Sequence, residues 1–172
     1  GDPRISSVEF ENFCIDGLHF VDDGNGDPEN TYLNGKTGIY VASAQDSFRI
    51  TGMGIIYLEH GVTLYNSDAL SVHDNFIAEC GNCVELRGAG QASKITDNLM
   101  GAGYKGYSIF AENFGGLLIT ANNIFPRAQA VFISVMWHVP LLQPTDFIPS
   151  IRECWYLKET VRKIWFLQII FT

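Results

Sequence analysis

The sequence has 172 residues, of which 47% are hydrophobic and 13% aromatic, as is typical of a globular protein. Its formal net charge is -8, and its Lys and Arg residues are not clustered, which excludes nucleic acid as a partner because phosphate binding needs clustered basic side chains. No uncharged apolar run reaches the roughly 18 residues of a membrane-spanning helix, so no membrane partner is predicted.

The chain opens with Gly-Asp-Pro-Arg, which has neither the basic nor the apolar segment of a signal peptide. We therefore expect it to begin inside a longer protein. Residues 21–36 are rich in Gly, Asn, Asp and Pro and predict a long loop. His19, between Leu18 and Phe20, is interpreted as a core or loop residue.

From residue 39 onward, short apolar strand patterns return every 22 to 24 residues. The first column of strands starts at Ile39, Val62, Val84, Tyr107 and Val131, and a second column in phase with it holds Ile50, Val72, Ile95 and Ile119.

Within each repeat the apolar residues alternate, as expected for a strand with one buried face. Short strands that return to the same phase after about 23 residues are typical of the coils of a parallel β-helix, because helical solenoids need longer units. We therefore predict an all-β parallel β-helix over residues 1–135, in which each strand pairs with its equivalent one coil away.

Residues 136–172 form a tail of different character. All 17 glycines lie at or before Gly116, whereas Trp137, Trp155 and Trp165 all lie after it. The tail could hold one helix near residues 151–168. It is interpreted either as an atypical cap that shields the end of the solenoid or as a foreign or frame-altered C-terminus.

Several polar positions in the repeat have structural explanations. The column of Asn75, Asn98 and Asn122 is predicted to form turns and to hydrogen-bond from coil to coil, since Asn tolerates left-handed backbone geometry. Asp74 and Asp97 lie beside those turns and are interpreted as turn residues. Cys80 and Cys83 have a CxxC spacing but no second pair or His at metal-ligand spacing, so packed free thiols and no metal site are predicted.

Other polar residues are candidates for chemistry. Asp68 aligns with Asp46, Gln91 and Gly115 at an exposed turn. Glu79 aligns with Tyr57 and Ala102, where nothing in the repeat demands a carboxylate. Glu85 aligns with Thr63 and Ser108 and is predicted to face outward; a solvated face is the plain alternative for it, as for His60 and His73.

Two carboxyl groups on either side of a glycosidic bond can act as acid and base. A strand rises about 3.3 Å per residue, which separates Asp68 from Glu79 by on the order of 15 Å or more within one chain. A pair in contact would need two subunits.

Four stretches of this chain resemble the inulin fructotransferase family, and the likeness extends from residue 1 to about residue 127. The stretches are residues 34–43 (NGKTGIYVAS), 47–60 (SFRITGMGIIYLEH), 76–92 (FIAECGNCVELRGAGQA) and 115–127 (GGLLITANNIFPR). The resemblance implies a right-handed parallel β-helix, a secreted homotrimer with active sites between subunits, and no cofactor.

The resemblance also implies that Asp68 and Glu79 are the catalytic pair. Asp74 and Glu85 have the same 11-residue spacing, so a different register would move the pair onto them. Asp68 and Glu79 are favoured because Asp74 has a turn role. Glu85, Asp74 and His60 are further candidates for substrate binding.

The activity implied for the family is release of the terminal difructosyl units of inulin as a cyclic difructose dianhydride, by attack of a fructose hydroxyl and without water. Two alternatives stay open: hydrolysis of the cyclic anhydride by a related enzyme, and a non-catalytic carbohydrate-binding or structural β-solenoid. The chain has a longer loop at residues 21–32 than the family and stops matching beyond Arg127. A truncated or frame-shifted copy is therefore expected.

Overall fold

The computed structural model describes residues 3–17, 34–102, 106–125, 130–135 and 169–170, and the regular elements there are all β-strands. In chain order they are β1 (Ile5–Ser6), β2 (Glu9–Glu11), β3 (Cys14–Asp16), β4 (Thr37–Val41), β5 (Gln45–Asp46), β6 (Arg49–Thr51), β7 (Gly54–Ile56), β8 (His60–Tyr65), β9 (Ser67–Asp68), β10 (Ser71–His73), β11 (Phe76–Cys80), β12 (Asn82–Arg87), β13 (Gly90–Gln91), β14 (Lys94–Thr96), β15 (Leu99–Ala102), β16 (Tyr107–Glu112), β17 (Phe114–Gly115), β18 (Leu118–Thr120), β19 (Asn123–Ile124), β20 (Ala130–Val135) and β21 (Ile169–Ile170).

These strands form four sheets that run along the solenoid. The first sheet contains β1, β5, β9, β13 and β17; the second β2, β6, β10, β14, β18 and β21; the third β3, β7, β11, β15 and β19; the fourth β4, β8, β12, β16 and β20. Each strand up to β20 pairs in parallel with its equivalent in the next coil, as between β8 and β12 and between β10 and β14. The predicted parallel β-helix is therefore confirmed.

The core lies inside the coils and combines the inward side chains of the two predicted columns with those of the third sheet, such as Ile55, Ile77 and Met100. Ile50, Val72, Ile95 and Ile119 are in register and buried, as predicted for the second column. In the first column Ile39, Val62 and Val84 are in register, but Val84 then pairs with Ile109.

The predicted alignment of Val84 with Tyr107 is therefore wrong by two residues, and Phe132 replaces Val131 one coil later. Ile109 is fully buried whereas Tyr107 is half-buried, so the aliphatic side chain takes the interior position. Apolar alternation does not detect this error, because a slip of two residues keeps every side chain on the same face.

An asparagine ladder runs along one corner of the solenoid, as predicted. The side-chain amide of Asn75 donates to Oδ1 of Asn98 at 2.9 Å, and that of Asn98 donates to Oδ1 of Asn122 at 3.0 Å. The left-handed residue at this corner is the one before each Asn, with φ of 56° at Asp74 and 59° at Asp97. The left-handed geometry expected of the Asn residues themselves is therefore wrong. The Asn residues are therefore selected for their hydrogen bonds, and the turn interpretation of the two Asp residues is confirmed.

We expect Asn98→Ala to lower the free energy of unfolding by about 3 kcal/mol, because it leaves buried hydrogen-bonding groups without partners. Oδ1 of Asn98 accepts from the backbone N–H of Asn75, and its amide donates to the carbonyl of Val72. Urea unfolding of the 172-residue chain measures the change. Asn123→Ala, at an exposed position next to the ladder, is the matched control. An equal loss in both variants would contradict the role given to the ladder.

The C-terminal tail contributes one described element. β21 pairs antiparallel with β18 through Leu118 with Ile170 and Ile119 with Ile169, and so covers an edge of the second sheet. The helix predicted near residues 151–168 lies outside the described residues, as do His19 and most of the predicted loop at 21–36. The boundary at residue 135 stays a prediction.

Candidate active site

Asp68 lies at the end of β9, on the first sheet, in the column that the sequence predicts. It pairs with Asp46 on one side and Gln91 on the other. Its carboxylate accepts a 2.6 Å bond from Nη1 of Arg4, and its side chain is 25% exposed. Asp68, Arg4 and Gln91 line a surface recess of about 660 Å³. Asp68 is thus a half-buried carboxylate on the wall of a surface recess.

Glu79 lies near the end of β11, on the third sheet, in a left-handed conformation with φ of 52°. Tyr57, at the same corner one coil earlier, has φ of 58°, as the predicted column requires. Ala102 is not in this column, because a register shift places it opposite Cys80 and leaves Glu79 as the extra residue of a β-bulge. Neither Tyr nor Glu favours this backbone region, so the fold does not explain the carboxylate.

The structure places Asp68 and Glu79 on two different sheets of the same coil. β10 (Ser71–His73) and the Asn75 corner separate them along the chain. The expected separation of the two carboxylates within one chain stays a prediction.

Glu85 forms the centre of a buried polar cluster on the outer side of the fourth sheet. Its side chain is 1% exposed, so the solvated-face interpretation is wrong. Oε2 accepts from Nδ1 of His60 at 2.5 Å and from the Thr63 hydroxyl at 3.1 Å, and Oε1 accepts from Nη2 of Arg87 at 2.5 Å. The residue paired with Glu85 in β16 is Phe110 and not Ser108.

Two pKa values in this cluster move in opposite directions. Burial raises the pKa of Glu85, but the hydrogen bonds from His60 and Arg87 outweigh it and leave the pKa below its usual value. The hydrogen bond to Glu85 raises the pKa of His60 above its usual value, although burial opposes the shift. The geometry therefore favours an ionised Glu85 next to a protonated His60.

Asp74, the other candidate for substrate binding, is the exposed left-handed residue of its turn. Its carboxylate lies 2.7 Å from Nδ1 of the neighbouring His73.

Sequence reasoning missed the two arginine contacts of the candidate carboxylates. The ion pair of Arg4 with Asp68 joins residues 64 positions apart, and no local sequence pattern indicates it. Arg87, by contrast, lies two residues after Glu85 on the same strand, and residues i and i+2 of a strand share a face. That spacing could have predicted the pair.

The predicted packing of the CxxC cysteines is confirmed, since Cys80 and Cys83 are buried free thiols. Burial raises the pKa of Cys80 to about 12. We therefore expect iodoacetamide at pH 8 to alkylate the exposed Cys14 in the folded chain and to leave Cys80 and Cys83 unmodified. Peptide mass mapping reads the result, with the urea-unfolded chain as the control. Fast modification of Cys80 in the folded chain would contradict its burial.

Among the residues that the structure describes, no three His, Cys, Asp or Glu side chains are grouped as metal ligands. The same part of the chain has no helix long and apolar enough to span a bilayer.

The chain is similar to known proteins at two levels, a broad family and a narrower one. The sequence model of the family described as periplasmic copper-binding protein (NosD) matches residues 12–141. The described donor set does not fit a copper site, since it offers no group of three ligands. The fold and this match together place the chain in the class of parallel β-helix proteins of the NosD family.

Two characterised proteins give a narrower assignment. The DFA-I-forming inulin fructotransferase of Arthrobacter globiformis is 47% identical over 133 residues, which are 75% of this chain and 32% of that protein. The DFA-IIIase of Arthrobacter chlorophenolicus A6, crystallised in complex with GF2, has 70% sequence identity to this chain. The two structures match with a TM-score of 0.72 over 78% of this chain and 32% of that chain. Its complex with DFA-III matches equally well, over 30% of that chain.

The chain belongs to the NosD family and, within this class of fold, to the inulin fructotransferase family. It spans about a third of the length of the relatives it matches.

Proposed function

We propose that this chain carries part of the active site of a fructan-cleaving enzyme, with Asp68 and Glu79 as its acid/base pair. The observation that carries the proposal is the carboxylate of Glu79 at a left-handed β-bulge, in a chain 70% identical to a DFA-IIIase crystallised with GF2 and with DFA-III. Bulges are over-represented next to active sites, where they redirect side chains.

The proposed reaction releases the terminal difructosyl unit of inulin as a cyclic dianhydride. A hydroxyl group of the terminal unit attacks the anomeric carbon that links this unit to the rest of the chain. One carboxylate takes the proton of the attacking hydroxyl, and the other carboxyl group gives a proton to the departing oxygen. One C–O bond forms and one breaks, and no water is consumed.

The position of the two carboxylates on different sheets supports a site that is completed by a second subunit. In this arrangement Asp68 of one chain and Glu79 of its neighbour act on the same bond, as in a homotrimer. A polymeric fructan is too large to cross a membrane unaided, which supports a secreted enzyme.

A second candidate is hydrolysis of the cyclic anhydride, in which water replaces the attacking hydroxyl. It is favoured by the 70% identity with a DFA-IIIase whose structure contains DFA-III. The same pair of carboxyl groups serves both reactions, since each needs one acid and one base.

A chimera tests both candidates. Residues 3–125 replace the aligned segment of the Arthrobacter chlorophenolicus enzyme, and the product is incubated separately with inulin and with DFA-III. Chromatographic detection of dianhydride from inulin supports the first candidate, and opening of DFA-III alone supports the second. If the chimera folds and forms neither product while the parent enzyme is active, this segment is a non-catalytic solenoid.

A further inference from the structure

In the cluster around Glu85, His60 is partly exposed to solvent, whereas Glu85 is buried. Both carboxylate oxygens of Glu85 already accept hydrogen bonds, and the side chain is 1% exposed. A ligand on the outer surface therefore meets the residues that Glu85 holds, and not Glu85.

His60 is the residue that this carboxylate orients. When Nδ1 of a histidine is hydrogen-bonded to a carboxylate, the ring orientation is fixed and Nε2 is left to face outward. The side chain of His60 is 35% exposed, and Nε2 lies 3.7 Å from Oε1 of Glu59. Nε2 and Glu59 together offer a donor and an acceptor, which is the pairing that a sugar hydroxyl needs.

The position of His60 relates it to the proposed catalytic carboxylate. His60 pairs with Asn82 across β8 and β12, and the backbone N–H of Asn82 donates to the carbonyl of Glu59. Asn82 follows Glu79 by three residues, at the corner where the chain passes from the third sheet to the fourth. His60 and Glu79 therefore belong to the same corner of two adjacent coils.

Aromatic rings extend this surface along the fourth sheet. The guanidinium of Arg87 lies 4.0 Å from the ring centroid of Phe110, and the rings of Tyr107 and Phe110 are 6.0 Å apart. The backbone N–H of Tyr107 donates to Oδ1 of Asn82, which continues the row that starts at His60. Aromatic faces beside a few fixed polar groups are typical of binding sites for neutral ligands.

We propose that His60 is a substrate-binding residue that hydrogen-bonds a fructosyl hydroxyl through Nε2, and that Glu85 is the positioning residue that fixes its ring. The charged groups that face His60 are Glu85, Glu59 and Arg87. This inference rests on the proposed function and assigns one of its sugar contacts.

The test is a titration of the 172-residue chain with the trisaccharide GF2, followed through the ¹⁵N and ring ¹H signals of its histidines. In the parent chain we expect GF2 to shift the His60 signals. His60→Gln raises the Kd for GF2 about tenfold, as expected for one lost hydrogen bond to a polar group. Glu85→Gln weakens binding less, and it moves the pH profile of GF2 binding to lower pH because His60 loses the carboxylate that raises its pKa. A purely structural role of Glu85 would leave that pH profile unchanged.

His73→Gln is the matched control, because His73 is also half-buried beside a carboxylate but lies on the second sheet. It is expected to keep the parent Kd. Should Glu85→Gln fail to fold, His60→Gln decides the outcome. Parent-like binding by His60→Gln, or no GF2 binding by the parent chain, overturns the inference. Neither result decides the proposed function, which the chimera tests by its products.

Discussion

Asp68→Asn and Glu79→Gln, each introduced into the chimera, are expected to lower the rate of product formation about 1000-fold. Each change keeps the size of the side chain and removes its ability to exchange a proton, and general acid–base catalysis contributes roughly 10²- to 10⁴-fold per group. Initial rates with inulin and with DFA-III, measured by chromatography, give the size of the loss.

Two further Asp variants make this result decisive. Asp97→Asn changes an exposed turn residue of the adjacent coil and should leave the rate unchanged. Asp74→Asn tests the alternative register, since Asp74 and Glu85 share the spacing of Asp68 and Glu79. A large loss in Asp74→Asn together with full activity in Asp68→Asn would move the catalytic pair.

Glu85→Ala is expected to lower the free energy of unfolding of the 172-residue chain by about 3 kcal/mol. Removal of one partner from a buried ion pair costs about 3–5 kcal/mol because the remaining charge loses its compensation. The lower end applies here, since His60 and Arg87 are about one-third exposed and keep some contact with water. Denaturant unfolding near pH 5.5 measures the loss.

The loss should depend on pH in a defined way. The pKa of His60 is raised in the folded chain, so its contribution is complete below its unfolded pKa of about 6.5 and disappears as pH rises through the folded pKa. The pKa of Glu85 is lowered, so its contribution is complete above its unfolded pKa of about 4.3 and disappears as pH falls through the folded pKa. The difference between the parent and Glu85→Ala is therefore largest between about pH 4.5 and 6.5. A difference that grows steadily above pH 7 would contradict the pairing.

The sequence predicts the repeat well because burial imposes a period of two on each strand and coil stacking imposes the longer period. Ile50, Val72 and Ile95 satisfy both and are in register as predicted. Tyr107 satisfies the period of two without occupying the buried position, and only packing against the neighbouring coil selects Ile109.

The contacts of the candidate site are harder to predict from the sequence, because they join side chains of different coils. The column of Asp68 follows from the repeat, but the contact of Arg4 with it depends on a side chain from a distant part of the chain. The burial of Glu85 depends on His60, 25 residues earlier, and a repeat pattern does not state which outward side chains pair. The bulge at Glu79 breaks the period itself, so alignment by period misplaces Ala102.

The asparagine ladder gives the solenoid an electrical and chemical direction. Asn75 and Asn98 each donate one amide hydrogen to the Asn one coil later and the other to a backbone carbonyl one coil earlier. The bonds between the side chains therefore all run in one direction along the row and polarise one another. At the start of the row the backbone N–H of Met53 donates to Oδ1 of Asn75, and at its end the amide of Asn122 donates to the carbonyl of Ile95. A coil stacked in the opposite orientation would place a donor against a donor, whereas a coil in the same orientation continues the row. The row thus favours one stacking orientation of the coils.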